Sequence, residues 1–73
     1  MYYIFVFKAR SETLRFSNLL YSFKVPSDVV STPRSISQSC SISVKIGMKN
    51  LDFAKRLLFA HNFYTFVGVY KVE

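Results

Sequence analysis

The stretch Ile42-Ser43-Val44-Lys45-Ile46-Gly47-Met48-Lys49-Asn50-Leu51-Asp52-Phe53-Ala54-Lys55-Arg56-Leu57-Leu58 changes its apolar period part-way along. Up to Ile46 the apolar residues alternate. Ile42, Val44 and Ile46 point one way, and Ser43 and Lys45 the other, which is the period of a strand. Gly47 closes it. Beyond Asn50 the spacing becomes helical: Leu51, Ala54, Leu57, Leu58 and His61 share one side, with Lys55 and Arg56 off it. Asn50 is the N-cap candidate, and Asp52 in the first turn suits the helix dipole. Asn62, which tolerates the left-handed conformation, is a fair terminator. Thr65 to Val72 then reads as a strand, and Gly68 inside it marks a bulge or a close approach of another backbone.

Upstream, the short run Tyr2 to Phe7 is rich in aromatic and β-branched residues, so its length predicts a buried strand. Ser11 is the N-cap expected for a first helix, with Glu12 in its first turn. Phe16, Leu19, Leu20 and Phe23 form that helix's apolar stripe, and Arg15, Asn18 and Ser22 fall off it. Lys24-Val25-Pro26 ends it, because the residue before proline leaves the helical region. Asp28 to Thr32 predicts a short edge strand that stops at Pro33. Residues 33–40 read as a loop, since their serines compete for backbone hydrogen bonds.

Strand, helix, strand, strand, helix, strand in this length is the ferredoxin-like βαββαβ sandwich, an α+β fold. A single domain over residues 1–73 is expected, with a four-stranded antiparallel sheet and both helices on one face. The first strand is apolar on both sides: Tyr3, Phe5 and Phe7 on one, Tyr2, Ile4 and Val6 on the other. Burial on both faces is therefore expected. The helix-free face then needs a cover, most simply a second copy of the chain, giving a homodimer.

The chain has 73 residues, 10 Lys+Arg against 4 Asp+Glu, and a formal net charge of +6. Its hydrophobic content of 51% argues against disorder. The single cysteine, Cys40, excludes a disulfide within the chain. Cys40 and His61 alone cannot fill a tetrahedral zinc site, so no metal is expected. No apolar run approaches the ~20 residues that span a bilayer. The N-terminus lacks the pattern of a signal peptide. A soluble cytoplasmic protein with no membrane partner is the expectation, and a lone thiol fits that reducing compartment.

Many catalytic signatures are missing. There is no glycine-rich phosphate loop, and the scattered acids suggest no carboxylate pair. His61 reads as a packed or helix-end histidine rather than a base. Ferredoxin-like sheets with exposed aromatics can stack RNA bases, and Tyr3, Phe5 and Phe7 fit that superficially. The third strand lacks the glycine–aromatic signature, however, and the basic residues are spread over every element. Nucleic-acid binding is thus the less favoured reading. Cys40 is a small buried residue on the ordinary expectation. On the sharper reading it is a nucleophile, because Arg34 and Lys45 lie near it in sequence and cations favour the thiolate.

At this segment the chain resembles a known family. Thr32-Pro33-Arg34-Ser35-Ile36-Ser37-Gln38-Ser39-Cys40-Ser41 is similar to the Thr-Pro-Arg-x-Ile-Ser-x-x-Cys-Gly stretch of the selenium/sulfur carrier-like family of small bacterial proteins. The opening strand, the helix with Leu19-Leu20, the second helix and the closing Gly68-Val69-Tyr70-Lys71-Val72 also look similar. Ser41 stands where the family pattern has glycine. The resemblance implies a carrier that holds sulfur or selenium on Cys40 as a persulfide or perselenide. Its partners would be a cysteine or selenocysteine desulfurase-type donor and an acceptor protein, and it would need no cofactor. Arg34 would bind the anion with Ser37, Ser39 and Ser41, while Thr32 and Pro33 shape the loop. Such a protein is a carrier rather than a turnover enzyme. The alternative is a non-enzymatic ferredoxin-like interaction module, either a homodimer or a basic nucleic-acid binder.

Overall fold

The structure is a computed structural model and describes residues 1–72. The elements run β1 (Tyr2–Phe7), α1 (Arg10–Ser22), β2 (Ser27–Ser31), β3 (Ile42–Gly47), a 3₁₀ turn (Met48–Asn50), α2 (Leu51–Ala60) and β4 (Phe66–Val72). The strands form one antiparallel sheet in the order β2-β3-β1-β4. This is the expected ferredoxin-like arrangement, with β2 at an edge. No helix among the described residues is long and apolar enough to cross a membrane.

Directly opposed residues of an antiparallel pair share a face. Phe5 opposes Val44 and Val69, so these side chains point together toward the helices. There they meet Phe16, Leu20, Ala54, Leu57 and Leu58 in one buried cluster. Its centre is aromatic. Phe16 stacks on Phe5 and Phe7 with ring centroids 5.0 and 5.5 Å away, and Phe63 meets Phe16 edge-on at 5.5 Å. Truncating a buried Phe costs about 3–5 kcal/mol. A domain of this size holds on the order of 4–10 kcal/mol in total, so Phe16→Ala would remove much of its stability.

Both faces of β1 are buried from Ile4 to Phe7, as the sequence predicts, while Tyr2 at its start is exposed. The cover on the helix-free face comes from within the chain. Ile4 and Val6 lie under Cys40 and the half-buried Ile36, with Val30, Tyr70 and Val72 packed around them. Residues 33–41 therefore form a strap across the sheet. The need for a second copy is met at Ile4 and Val6 by the strap.

Several local readings are corrected. Ala9, not Ser11, is the N-cap of α1, and Ser11 lies within the helix. The stripe of α1 runs through Thr13, Phe16 and Leu20, whereas Phe23 is half-exposed at the C-cap. Asn50 does cap α2, but without a side-chain hydrogen bond, because the 3₁₀ turn leads into it. His61 is exposed and forms the C-cap of α2 in an extended conformation, so Asn62 is not needed as a left-handed stop. Among the described residues the one positive φ is at Lys24 (60°).

Lys24 ends α1 as a Schellman turn. Its N–H donates to the Tyr21 carbonyl at 2.9 Å, and the Val25 N–H to the Leu20 carbonyl at 2.9 Å. Val25 and Leu20, on either side of that turn, both enter the core. Glycine is usual at this left-handed position, and the sequence places a lysine there instead. At Gly68 the pairing of β1 and β4 shifts register, and a Cβ there would meet the Tyr70 ring at 3.2 Å. The close approach read from this glycine is thus made by a side-chain ring lying over it.

Glu12 ties α1 to the segment before β4. Its carboxylate accepts the Tyr64 N–H at 2.9 Å and both the N–H and the hydroxyl of Thr65 at 2.7 Å. Arg15 approaches Glu12 to 3.7 Å, donates to the Asn62 carbonyl and covers the Phe63 ring at 4.2 Å.

Candidate functional site

The strap, with Thr32 at its base, holds every residue that the family resemblance assigns around Cys40, whereas Lys45 lies outside it in β3. The strap's two ends are fastened to each other. The Thr32 N–H donates to the Ser41 carbonyl at 3.1 Å, and the Thr32 and Ser43 side-chain oxygens lie 2.5 Å apart. Thr32 and Ser43 are both buried, so each hydroxyl supplies the other with a partner that water cannot.

Inside the strap, Pro33 starts a turn. Its carbonyl accepts the N–H groups of Ile36 at 3.0 Å and Ser37 at 3.1 Å. Proline suits this place because its fixed φ matches the turn and it needs no donor partner there. The turn lowers Ile36 onto the sheet. Ser37 then accepts the Cys40 N–H at 3.2 Å and lies 3.3 Å from the Ser39 hydroxyl. Ser37 thus does what short polar side chains do in loops, holding a backbone group that no strand satisfies.

Cys40 is 5% exposed, and its side chain packs with Ile4 and Val6. Its polar contact is the backbone N–H to Ser37. Among the described residues no hydrogen bond or ion pair joins Arg34 or any lysine to it. Arg34 is exposed on the Pro33 turn, as are Ser39 and Ser41 on either side of the cysteine. The structure therefore gathers Thr32, Pro33, Ser37 and Cys40 with the Ser39 hydroxyl and the Ser41 carbonyl, and leaves Arg34 exposed outside these bonds. It also removes Phe5 and Phe7 as stacking platforms for RNA bases. They are buried against the helices and Tyr3 packs against the same core, while on the other face Ile4 and Val6 lie under the strap and Tyr2 is 48% exposed.

Three contributors were not singled out by the sequence. Ser43 pairs with Thr32, Ile36 covers Ile4 and Val6, and Tyr70 packs beside Cys40 across Gly68. The alternation in β3 did put Ser43 on the helix-free face. Nothing in it signalled that this face is buried. No group of three metal-ligating side chains occurs among the described residues.

Residues 2–70 match the model of a family described as "Putative Se/S carrier protein-like". No curated protein and no solved structure matches the chain.

Proposed function

The chain belongs to the Se/S carrier protein-like family, and from that premise we propose that Cys40 carries sulfur or selenium as a persulfide or perselenide. The observation that carries this reading is the place of the thiol. It lies in the strap itself, between exposed Ser39 and Ser41, with its side chain packed on Ile4 and Val6. Lifting the strap uncovers it without opening the phenylalanine core on the other face, which is the kind of local opening that loops undergo.

The chemistry is one exchange in each direction. Cys40 gives up its proton to solvent, and the thiolate attacks the terminal sulfur of a persulfide on a desulfurase-type donor. A sulfur–sulfur bond to Cys40 forms as the donor's own breaks, and the donor leaves as a thiolate. The sulfur moves with no net oxidation, so the step calls on no cofactor. An acceptor protein's thiolate removes it by the same exchange.

In the lifted strap, Arg34 and the hydroxyls of Ser37, Ser39 and Ser41 supply charge and donors for the persulfide anion. Thr32 and Pro33 form the hinge. Ser41, where the family pattern has glycine, narrows the backbone angles open to that hinge. The closed strap shields the bound sulfur between transfers. This reading works within one chain and does not depend on a dimer.

The test is intact-mass spectrometry after incubation with a cysteine or selenocysteine desulfurase and its substrate. The reading expects a gain of one sulfur or selenium that is absent in Cys40→Ser. An unchanged mass with both substrates would overturn it.

A further inference from the structure

A basic and aromatic surface lies where α1 ends and β2 begins. Two open clefts meet there at Pro26, which lines both. One, of about 540 Å³, takes in Tyr2, Asp28, Lys45 and Lys49. The other, of about 530 Å³, takes in Tyr21 and Lys24.

Two of the lysines are held in defined places. Lys45 stands directly across the strand pair from Asp28. Opposite charges so placed attract. Yet among the described residues the two form no ion pair, and the ammonium lies 4.6 Å from the centroid of the Tyr2 ring. Among the described residues no carboxylate pairs with the ammonium, and the Tyr2 ring is its neighbour. Lys24 occupies a left-handed position, with φ at 60°, that glycine fills at lower backbone cost. From there the Lys24 side chain lines the second cleft.

Aromatic faces accompany these cations. Tyr21 is 83% exposed and Phe23 51%. Phe23 is braced edge-on against Phe53, with centroids 5.7 Å apart. Tyr21 and Lys24 line one cleft, Phe23 stands next to it in the chain, and Lys45 and Lys49 line the cleft that shares Pro26. Together they supply the elements of a single-strand nucleic-acid site, in which bases stack and phosphates meet ammonium groups.

We infer that this end of the molecule binds single-stranded nucleic acid, with phosphates on Lys24, Lys45 and Lys49 and bases on Tyr21 and Phe23. An acidic peptide would use the same lysines but would leave the open ring faces idle, so the rings favour the nucleic acid. This site differs from base stacking on Tyr3, Phe5 and Phe7, which pack toward the helices; Tyr2 and Lys45 reach it from the end of the helix-free face beyond the strap. It uses neither Cys40 nor the strap, and it stands or falls independently of the carrier reading.

Fluorescence anisotropy with a labelled octamer of uridine tests it. Three phosphate contacts give a salt slope of about −2, or roughly 20-fold weaker binding at 200 mM than at 50 mM salt. Tyr21→Ala removes an exposed ring and should weaken binding about tenfold. Lys45→Gln and Lys49→Gln should each lower the slope by about 0.7. Lys24→Gly is the sharpest variant, because it should raise Tm while weakening binding. Arg10→Gln, at the other end of α1, should change affinity less than twofold. The inference is overturned if the octamer fails to bind at 50 mM salt. It is overturned equally if Arg10→Gln weakens binding as much as the lysine variants do. It also fails if a poly-glutamate decapeptide binds as tightly as the octamer with no loss in Tyr21→Ala.

Discussion

The Thr32 and Ser43 side-chain oxygens lie 2.5 Å apart in a buried hydrogen bond, where the chain leaves β2 and where it has just re-entered the sheet in β3. This contact and the neighbouring bond from the Thr32 N–H to the Ser41 carbonyl close the strap at its base.

Thr32→Val should therefore destabilise the protein more than its change in shape suggests. It leaves the Ser43 hydroxyl buried without a partner, at a cost of about 1–3 kcal/mol. For a domain of this size each kcal/mol lowers Tm by about 4–8 °C. The double variant Thr32→Val/Ser43→Ala removes both polar groups and should recover most of the loss. Thermal melts of the two singles and the double measure this coupling. Simple additivity would show that the pair does not act as a unit.

Glu12 should make the acid limb of the stability curve steep. Burial alone raises its pKa. The bonds from the Tyr64 N–H and from the Thr65 hydroxyl and N–H, with the Arg15 charge, outweigh that and hold it below the ordinary value of 4.5. Its contribution is therefore complete above the unfolded-state value and fades as pH falls through the lower folded value. Urea midpoints between pH 7 and pH 2 should drop over that interval. In Glu12→Gln the drop should be smaller, because the carboxylate no longer titrates. Equal slopes in the two proteins would refute this account.

Why the strands and helices were legible in the sequence, and the strap was not, follows from what each depends on. The alternation in β3 and the stripes of Phe16/Leu20 and Leu57/Leu58 are local periods, and burial against one sheet face preserves them. Strand β1, apolar on both sides, announced a second cover. What provides that cover is a single half-buried Ile36 and a cysteine in a serine-rich loop, and these have no period to read. Glu12 is a similar case. In sequence it is an acid in a first turn, whereas its partners lie more than 50 residues away. Cys40 could be picked out from its surroundings, but its depth is set by Ile4 and Val6, far from it in the chain.

Lys24→Gly should stabilise the fold. A left-handed L-residue costs about 1–2 kcal/mol, and glycine's greater freedom in the unfolded chain returns about 0.5–1 of that. The net gain is roughly 0.5–1 kcal/mol, a rise of a few degrees in Tm. Lys24→Val should move the other way, since a β-branched side chain fits φ near 60° worst of all. A lower Tm for the glycine variant would mean that the lysine side chain itself holds the turn.

The strap's hold on Cys40 can be measured directly. If the thiol is uncovered by local opening, its reaction with a disulfide reagent proceeds at the intrinsic thiol rate multiplied by the open fraction. Ile36 is the strap's other apolar anchor and only half-buried, so Ile36→Ala should loosen it by about 1 kcal/mol, less than the 2–5 of a fully buried site. The open fraction, and with it the labelling rate, should rise about fivefold. A core variant such as Leu57→Ala supplies the contrast. It lowers global stability through the helix face and should leave the rate nearly unchanged while the strap opens on its own. If instead the rate follows global stability in both variants, the thiol is reached only by unfolding the whole domain. A carrier cannot work that way, and the role proposed for Cys40 would fall with it.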